Sequence, residues 1–344
     1  MTTEYLLGSS QPLAEQYPLA LVDLDGVAYK GHEPIQYASQ GLNAARQVGM
    51  RLVFVTNNAS REPGDVANQL TSLDIPSTAD DVMTAAQACA RLLGVHVQPG
   101  SRVLVVGGDG LFTAVREAGY EIVESADDNP AAVAQGFAPT LGWSDLAEAA
   151  YAVSRGAIHV ASNLDLSLPT ARGFAPGNGS LVGAVKAATG IEPYSAGKPS
   201  PAMYQMAIER AGVSTALVIG DRLDTDLAGA RAGGYHGLHV LTGVSTIKDA
   251  LHAQPIERPH YLASDLRALA VKQPPVEEHN GWWVCGKSRA RIDNEVMHLE
   301  EVSSGFHSPD GLDNARAACV AMWSYVDSHT VSTPIAVPEA VFSH

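Results

Sequence analysis

Acidic side chains close two apolar runs of this sequence. Asp23 and Asp25 end the first strong run, and Asp221 and Asp226 follow a later one, Ala216–Ile219. Residues two apart at the end of a strand can lean toward one site. One carboxylate can then attack a phosphoryl group while the other moves the proton of the leaving group. This spacing favours phosphoryl transfer through an aspartyl-phosphate.

Such a site needs a cation, because two carboxylates repel an anionic phosphate. Asp221 and Asp226, together with Asp23, supply hard oxygen ligands of the kind that Mg²⁺ prefers. Thr56 and the backbone N–H groups after it can hold phosphate oxygens, and Lys198 can balance the charge of the transferring group. The sequence therefore predicts Mg²⁺ as cofactor and a phosphate ester as substrate.

Each of these patterns also occurs without chemistry. A lone Asp-x-Asp is usually a turn or a solvated strand edge, and a lone Thr-Asn-Asn or Gly-Lys-Pro is usually a loop. A lone Gly-Asp-x-x-x-x-Asp can be the start of a helix, because Asp is a good N-cap residue. Ligands of open parallel sheets bind beyond the carboxyl ends of the strands, and all four patterns stand at strand ends or in loops. Their joint occurrence favours one shared site.

The elements that must position these residues alternate between strand and helix. The strand Leu19–Leu24, a helix near Ile35–Gly49 and the strand Arg51–Val55 predict a parallel sheet with a right-handed crossover. The fold class is therefore α/β. Further predicted strands are Arg102–Val106, Thr140–Gly142 with its flanks, Ile158–Ala161 and Ala216–Ile219; further predicted helices are Leu111–Ala118, Asp145–Ser154, Pro201–Ala211 and Asp226–Ala232.

Four segments resemble, in order, the four motifs of the haloacid dehalogenase superfamily. They are Asp23–Val27, Thr56–Asn58, Gly197–Pro199 and Gly220–Asp226. The long stretch between the second and third looks like the type C2 cap of the NagD/4-nitrophenylphosphatase branch, and the resemblance covers roughly residues 15–270. It implies a doubly wound, Rossmann-like catalytic core of residues 1–83 and 190–272, with residues 84–189 as an inserted α/β cap that selects the substrate.

The resemblance also implies a role for each motif residue. Asp23 is the implied nucleophile, and Asp25 the implied general acid and then general base. The implied ligands of Mg²⁺ are the Asp23 side chain, the Asp25 carbonyl oxygen and Asp221, with Asp226 in support through water. The implied phosphate-binding residues are Thr56, Asn57, Asn58 and Lys198.

The segment Ala161–Thr170 resembles the substrate-specificity loop of the branch. Asn163 and Asp165 in this loop can meet a polar substrate, although a loop that only shapes the cap fits the sequence equally well. Pyridoxal phosphate phosphatases carry a His at the place of Leu168. Its absence favours a small polyol phosphate, and the layout of the whole chain is similar to that of actinobacterial glycerol 3-phosphate phosphatases.

The regular alternation of strands and helices stops at a Gln-Pro-Pro sequence, residues 273–275. Beyond it we predict strands at Gly281–Cys285 and near Glu295–Val302, and an amphipathic helix at Leu312–Asp327. Residues 273–344 are therefore predicted to be a small α+β extension with a structural or regulatory role.

Composition narrows the class of partner. The 22 Lys and Arg stand against 37 Asp and Glu, a net charge of −15, which argues against nucleic acid and anionic membrane surfaces as partners. No apolar run approaches the roughly 18 residues of a membrane span, the three cysteines form no metal or disulfide pattern, and the first residues do not resemble a signal peptide. We expect a cytoplasmic protein, and a homodimer is one expected assembly because caps of this branch often dimerise.

Three functions remain open at this point. The leading one is a Mg²⁺-dependent phosphatase for glycerol 3-phosphate, with phosphoglycolate, pyridoxal phosphate or another metabolite as the alternative substrate. A receiver-type signalling module also combines Asp, Thr and Lys around Mg²⁺. Asp25 as a second proton-transfer group and the long interval between Thr56 and Lys198 argue against it. A non-catalytic protein that only binds phosphate esters is the third.

Overall fold

The computed structural model describes residues 5–170, 172–302, 307–331 and 333–342. The chain forms two compact units. Unit 1 combines Met1–Leu52 with Ala211–His344, and unit 2 is Val53–Arg210. The division into a core of residues 1–83 and 190–272, a cap of residues 84–189 and an extension of residues 273–344 stays a prediction.

Strands and helices alternate over most of the chain. The strands are Leu19–Val22 (β1), Tyr29–Lys30 (β2), Glu33–Pro34 (β3), Arg51–Thr56 (β4), Val82–Thr84 (β5), Arg102–Val106 (β6), Glu121–Val123 (β7), Ala132–Gln135 (β8), Ile158–Ala161 (β9), Ser167–Thr170 (β10), Gly173–Pro176 (β11), Tyr194–Ser195 (β12), Leu217–Gly220 (β13), His236–Val240 (β14), Tyr261–Ala263 (β15), Glu277–His279 (β16), Trp282–Cys285 (β17), Ser288–Asp293 (β18) and Val296–Glu301 (β19). The helices are Leu13–Gln16 (α1), Ala38–Gln47 (α2), Pro63–Ser72 (α3), Ala85–His96 (α4), Asp109–Glu117 (α5), Trp143–Ser154 (α6), Asn178–Thr189 (α7), Ala202–Ala211 (α8), Ala228–Ala232 (α9), Ile247–Leu251 (α10) and Asp313–Ser328 (α11).

Unit 1 contains parallel strands in the order β15-β14-β13-β1. All four residues of β1 and of β13 are buried, which is why these strands are short apolar runs without alternation. Ala20 pairs with Leu217, so the carboxyl ends of β1 and β13 lie side by side. The acidic residues that follow the two strands therefore leave the sheet at the same edge.

Unit 2 contains a parallel five-stranded sheet in the order β12-β9-β8-β6-β7. Leu104, Val133, Val153 and Val185 belong to a buried cluster that joins this sheet to α6 and α7. The end of β4 pairs with β5, also in parallel. Unit 2 is thus α/β as well, and together with unit 1 it confirms the predicted fold class.

The predicted C-terminal module is an antiparallel sheet in the order β16-β17-β18-β19, against which α11 packs. It shares one hydrophobic core with the parallel sheet of unit 1, because Cys319 and Trp323 of α11 lie in the same cluster as Leu251 and Leu262. The Trp323 Nε1–H also donates to the Ala250 carbonyl at 3.0 Å. The extension is therefore an integral part of unit 1.

One predicted strand is wrong. Thr140–Gly142 is not a strand, because a turn at Pro139 and Thr140 leads into α6, and the buried strand of this region is β8, eight residues earlier. β8 is Ala-Val-Ala-Gln, whose small side chains give a weak apolar signal. Gly142 instead precedes α6, where its N–H donates to Asp145 Oδ2 at 2.8 Å. The helix predicted to begin at Asp226 also starts earlier, with a π-helical turn at Leu223–Leu227.

No helix in the described part of the chain is long and apolar enough to cross a membrane.

Candidate active site

Three carboxylates of unit 1 form an acidic cluster. Asp23 follows β1, Asp221 follows β13, and Asp226 lies in the π-helical turn after β13. One oxygen from each side chain lies within 4.8 Å of the other two. Asp221 and Asp226 are 0% and 1% exposed. Buried like charges repel strongly, and carboxylate oxygens are the donor set of a hard divalent cation. The residues present therefore fit Mg²⁺.

Glycines make room for this cluster. A Cβ at Gly243 would lie 1.9 Å from Asp221 Oδ2, and a Cβ at Gly26 would lie 2.5 Å from the same oxygen. A Cβ at Gly220 would lie 2.2 Å from Asp226 Cβ. These contacts are too short for any side chain, so the carboxylates rest directly on the backbone. The N–H of Val244 then donates to Asp221 Oδ2 at 2.6 Å and fixes its direction.

Asp25 stands apart from the acidic cluster in its exposure. Its side chain is exposed, whereas Asp23 is partly buried. The turn after Asp25 needs Gly26, whose φ of 85° lies in the left-handed region. The Gly26 N–H donates to the Tyr29 carbonyl at 2.8 Å, which closes this turn. A carboxylate held at a tight turn and open to solvent is suited to exchanging protons with water.

His239 lies on the neighbouring strand β14 and adds no charge near neutral pH. It is fully buried, and burial lowers its pKa to about 4. Its Nε2 lies 3.2 Å from the Ser245 carbonyl and is therefore the protonated ring nitrogen. The positive charge that the acidic cluster requires must come from elsewhere.

The predicted phosphate-binding loop follows β4 in unit 2. Thr56 Oγ1 accepts the N–H of Asn58 at 3.1 Å, and Asn58 Oδ1 accepts the N–H and the hydroxyl of Ser60, each at 2.8 Å. These bonds are typical of Asx turns, in which the side chain fixes the backbone two residues on. They give the loop after β4 a defined shape.

Lys198 is buried in unit 2, with 6% exposure. Its Nζ donates to the Val55 carbonyl at 3.3 Å. The Asn57 side chain holds the backbone of Lys198 from both sides, because Asn57 Oδ1 accepts the Lys198 N–H at 2.8 Å and Asn57 Nδ2 donates to its carbonyl at 3.3 Å. The lysine and the phosphate-binding loop are thus fixed to one another.

The two predicted residues of the specificity loop join the same group. Asn57 Nδ2 also donates to the Asp165 carboxylate, with distances of 3.1 and 3.3 Å to the two oxygens. Asn163 Nδ2 donates to the Asn57 carbonyl at 2.8 Å, and Asn163 Oδ1 accepts the Asp165 N–H at 3.1 Å. The structure therefore brings Asn57, Asn163, Asp165 and Lys198 together within unit 2, as it brings Asp23, Asp221 and Asp226 together within unit 1.

Sequence reasoning missed the residues that support these two groups. Gly243 and Val244 shape the surroundings of Asp221, and Asn178 donates to the Asn163 carbonyl at 2.8 Å. None belongs to one of the four motifs. Their only signal is the distance between atoms from segments far apart in sequence.

Comparison with known proteins assigns the family. Residues 20–121 match the family described as haloacid dehalogenase-like hydrolase, and residues 195–269 match a HAD-hydrolase-like family. The D-glycerol 3-phosphate phosphatase of Mycobacterium tuberculosis is 44% identical over 316 residues, which cover 90% of this chain and 87% of the relative. An acid sugar phosphatase of Staphylococcus aureus is 36% identical over 237 residues, which cover 68% of this chain and 90% of the relative.

Solved structures agree with the sequence relatives. A glycerol phosphate phosphatase from M. tuberculosis in complex with magnesium has a TM-score of 0.84 at 42% identity, covering 92% of this chain and 93% of that one. A 4-nitrophenylphosphatase from Thermotoga maritima has a TM-score of 0.69 at 28% identity and covers 75% of this chain and 98% of that one. The 4-nitrophenylphosphatase therefore matches only part of this chain, whereas the glycerol phosphate phosphatase matches nearly all of it.

Proposed function

Because the chain belongs to the haloacid dehalogenase-like hydrolases, we propose that it is a Mg²⁺-dependent phosphatase that hydrolyses glycerol 3-phosphate to glycerol and phosphate. The observation that carries the proposal is the acidic cluster, in which three carboxylates offer oxygens within 4.8 Å of one another. The 44% identity to a D-glycerol 3-phosphate phosphatase supports this choice of substrate.

Asp23 is the proposed nucleophile. One of its carboxylate oxygens attacks phosphorus, the bond from phosphorus to the glycerol oxygen breaks, and Asp25 gives that oxygen its proton. Water then attacks the aspartyl-phosphate and gives a proton to Asp25 as the bond from phosphorus to Asp23 breaks. The exposed position of Asp25 suits both proton transfers. Each cycle thus returns both carboxylates to their starting state.

The cation ligands proposed from the sequence are the side chains of Asp23 and Asp221 and the main-chain carbonyl of Asp25, with Asp226 in support. Bound Mg²⁺ neutralises the carboxylates and the phosphate oxygens. Asp226 Oδ2 accepts the Arg222 N–H at 3.3 Å, which holds its carboxylate in the π-helical turn. The donors proposed to hold the phosphate group are Thr56, Asn57 and Asn58 with the N–H groups of their loop, and Lys198.

The specificity loop is proposed to recognise the alcohol. Asp165 is partly exposed, and a carboxylate accepts hydrogen bonds from hydroxyl groups. It also repels a second carboxylate, so it favours glycerol 3-phosphate over phosphoglycolate. The Asn163 amide is bonded to Asn57 and Asp165. We therefore propose that Asn163 holds the loop from which Asp165 contacts the substrate.

The test is a steady-state comparison of glycerol 3-phosphate, phosphoglycolate, pyridoxal phosphate and a sugar phosphate at saturating Mg²⁺. The sugar phosphate belongs in the panel because of the 36% identity to an acid sugar phosphatase. We expect the highest kcat/KM for glycerol 3-phosphate and no turnover with EDTA in excess. A higher kcat/KM for another ester would replace the proposed substrate. A cytoplasmic location and a homodimer stay predictions.

A further inference from the structure

Three asparagine side chains connect four segments of unit 2 through hydrogen bonds. Asn178 Nδ2 donates to the Asn163 carbonyl at 2.8 Å and to the Gln135 carbonyl at 3.4 Å. Asn163 Nδ2 donates in turn to the Asn57 carbonyl at 2.8 Å. The Asn57 side chain then holds the backbone N–H and carbonyl of Lys198. We call these residues, Asn178, Asn163, Asn57 and Lys198, the amide relay.

Three of the four residues of the amide relay are buried. Asn178, Asn163 and Lys198 are 2%, 5% and 6% exposed, whereas Asn57 is partly exposed. Hydrogen bonds that are shielded from water cannot be replaced by solvent when a partner is removed. Loss of one donor therefore leaves a buried carbonyl without a partner, and the loop that carries this carbonyl must move to reach another.

Close backbone contacts restrict such movements. A Cβ at Gly179 would lie 2.1 Å from the Leu164 carbonyl oxygen, and a Cβ at Gly197 would lie 2.7 Å from Asn163 Cβ. Helix α7 therefore touches the specificity loop directly, and this loop touches the segment that carries Lys198. A displacement at Asn178 is passed on to Lys198 because no free space separates them.

The Asn178 side chain does not cap its own helix. Asn178 is the first residue of α7 after the N-cap Gly177, and its Oδ1 accepts no hydrogen bond from the described residues. Both carbonyls that Asn178 contacts belong to other segments. The Asn178 amide therefore holds loops in place and does not cap the helix.

We propose that Asn178 is a positioning residue that sets the place of Lys198 and the phosphate-binding loop through Asn163 and Asn57. The proposal rests on the proposed phosphatase function. Lys198 and the loop contact the transferring phosphoryl group rather than the alcohol. A defect in the amide relay therefore lowers the rate for every phosphate ester by a similar factor.

The decisive variant is Asn178→Asp. Ionised aspartate has the same shape but offers no donor, and its charge repels the carbonyls of Asn163 and Gln135. Burial raises the pKa of an unpaired carboxyl, and a protonated aspartate donates again, so rates are measured both at pH 7 and at the highest pH that the parent tolerates. The N-terminal end of α7 offsets part of the cost of burying the charge. The matched control is Asn129→Asp. It removes an exposed hydrogen bond from the Asn129 side chain to the Asp127 carbonyl in the same unit.

Rates are measured on glycerol 3-phosphate and on 4-nitrophenyl phosphate, whose alcohol is unrelated to glycerol. For Asn178→Asp we expect kcat to fall about 30-fold on both esters and inorganic phosphate to inhibit about 10-fold more weakly, an effect of the size of other positioning defects. Asn129→Asp equals the parent. Unchanged kcat in Asn178→Asp would overturn the proposal, as would a loss confined to glycerol 3-phosphate.

A double variant tests the route. If Asn178 acts through Asn163, Asn178→Asp combined with Asn163→Ala is no more than about threefold slower than the slower single variant, because both changes break one relay. Losses that multiply would contradict it. Circular dichroism and thermal melting show that each variant is folded, and Asn178→Ala replaces Asn178→Asp if the latter does not fold.

Failure of the proposed function is visible separately. If the parent hydrolyses 4-nitrophenyl phosphate but not glycerol 3-phosphate, the substrate is wrong and the ratios on the aryl ester still test Asn178. If it hydrolyses neither, binding of inorganic phosphate with Mg²⁺, followed by ³¹P NMR, is compared between the parent and Asn178→Asp. Equal affinities would then overturn the positioning role.

Discussion

The acidic cluster of unit 1 and the amide relay of unit 2 solve opposite problems. Asp23, Asp221 and Asp226 concentrate negative charge that needs a counter-charge. Asn57 and Asn178 carry no charge and satisfy backbone groups through hydrogen bonds. The difference teaches that the clustered carboxylates need a counter-charge, whereas the asparagines of the amide relay need only well-placed backbone partners. Each of the following changes tests one side of this contrast.

The largest effect is expected for Asp23→Asn. The amide oxygen is a much weaker nucleophile than a carboxylate oxygen, and the substitution removes one negative charge from the acidic cluster. We expect kcat to fall by roughly 10⁴-fold or more while the fold is kept. Hydrolysis of glycerol 3-phosphate measures the loss, and thermal melting confirms folding. Substantial residual turnover would remove Asp23 from its proposed role.

A buried charge in unit 1 that is balanced by a side chain tests the same rule without a cation. Arg258 is 1% exposed and makes two bonds to the Asp327 carboxylate, at 2.7 and 2.9 Å. Asp327→Ala leaves the buried guanidinium without its carboxylate partner. We expect a loss of about 3 kcal/mol in the free energy of unfolding at pH 7. Asp127→Ala breaks the exposed pair with Arg155 and should cost less than about 1 kcal/mol.

The Asp327 pair also has a defined pH dependence. The hydrogen bond from Arg258 lowers the pKa of Asp327 below the ordinary value of 3.8. A carboxylate whose pKa is lower in the folded state stabilises the protein above the unfolded pKa and loses that contribution as pH falls through the folded pKa. The difference between the parent and Asp327→Ala in urea unfolding should be constant near pH 7 and shrink below pH 3.8. A difference that grows on acidification would refute the pairing.

The walls of the acidic cluster are tested by Gly243→Ala. The added Cβ would lie 1.9 Å from Asp221 Oδ2 and must displace the carboxylate. We expect the Mg²⁺ concentration for half-maximal activity to rise 10- to 100-fold, as for other residues that orient metal ligands. Gly183→Ala in α7 is the control, because its Cβ meets nothing within 4 Å. Equal Mg²⁺ dependence in the two variants would show that the cluster tolerates displacement.

The smallest effect concerns charge beside the amide relay. His159 is 2% exposed, its Nε2 lies 2.9 Å from Gln135 Oε1, and burial lowers its pKa to about 4. The unfolded chain binds the proton near pH 6.5, so stability falls as pH drops from 6.5 toward 4. His159 accounts for about 2 kcal/mol of this loss at pH 5. His159→Gln should flatten the pH dependence of urea unfolding; an unchanged slope would show that the histidine is not the group that titrates.

Motif residues could be predicted from the sequence because chemistry and chain position coincide in them. Asp23 and Asp221 each follow a short, fully buried strand, and parallel strands that pair place their carboxyl ends together. The family resemblance added the roles. Gly243 and Asn178 could not be found this way, because their importance depends on contacts of a few ångströms between distant segments.

The strand β18 shows a second limit of sequence reasoning. Its sequence, Ser-Arg-Ala-Arg-Ile-Asp, has too few apolar residues to stand out. The guanidinium groups of Arg289 and Arg291 lie 4.4 and 4.5 Å from the ring centre of Trp282, so both arginines help to cover a buried aromatic ring. The guanidinium groups cover the ring by cation–π contact, which a hydropathy pattern counts only as polar character.

Unit 1 is discontinuous in the chain, and this has a consequence for its synthesis on the ribosome. β1 is made early, but β13, with which it pairs in unit 1, follows only after the whole of unit 2. At about 5–20 residues per second this delay lasts about ten to forty seconds. Unit 2 is continuous and can fold during that interval. Unit 2 can therefore fold before unit 1, although the synthesis of unit 1 begins first. The nascent strand β1 must be kept from aggregating until its partner emerges.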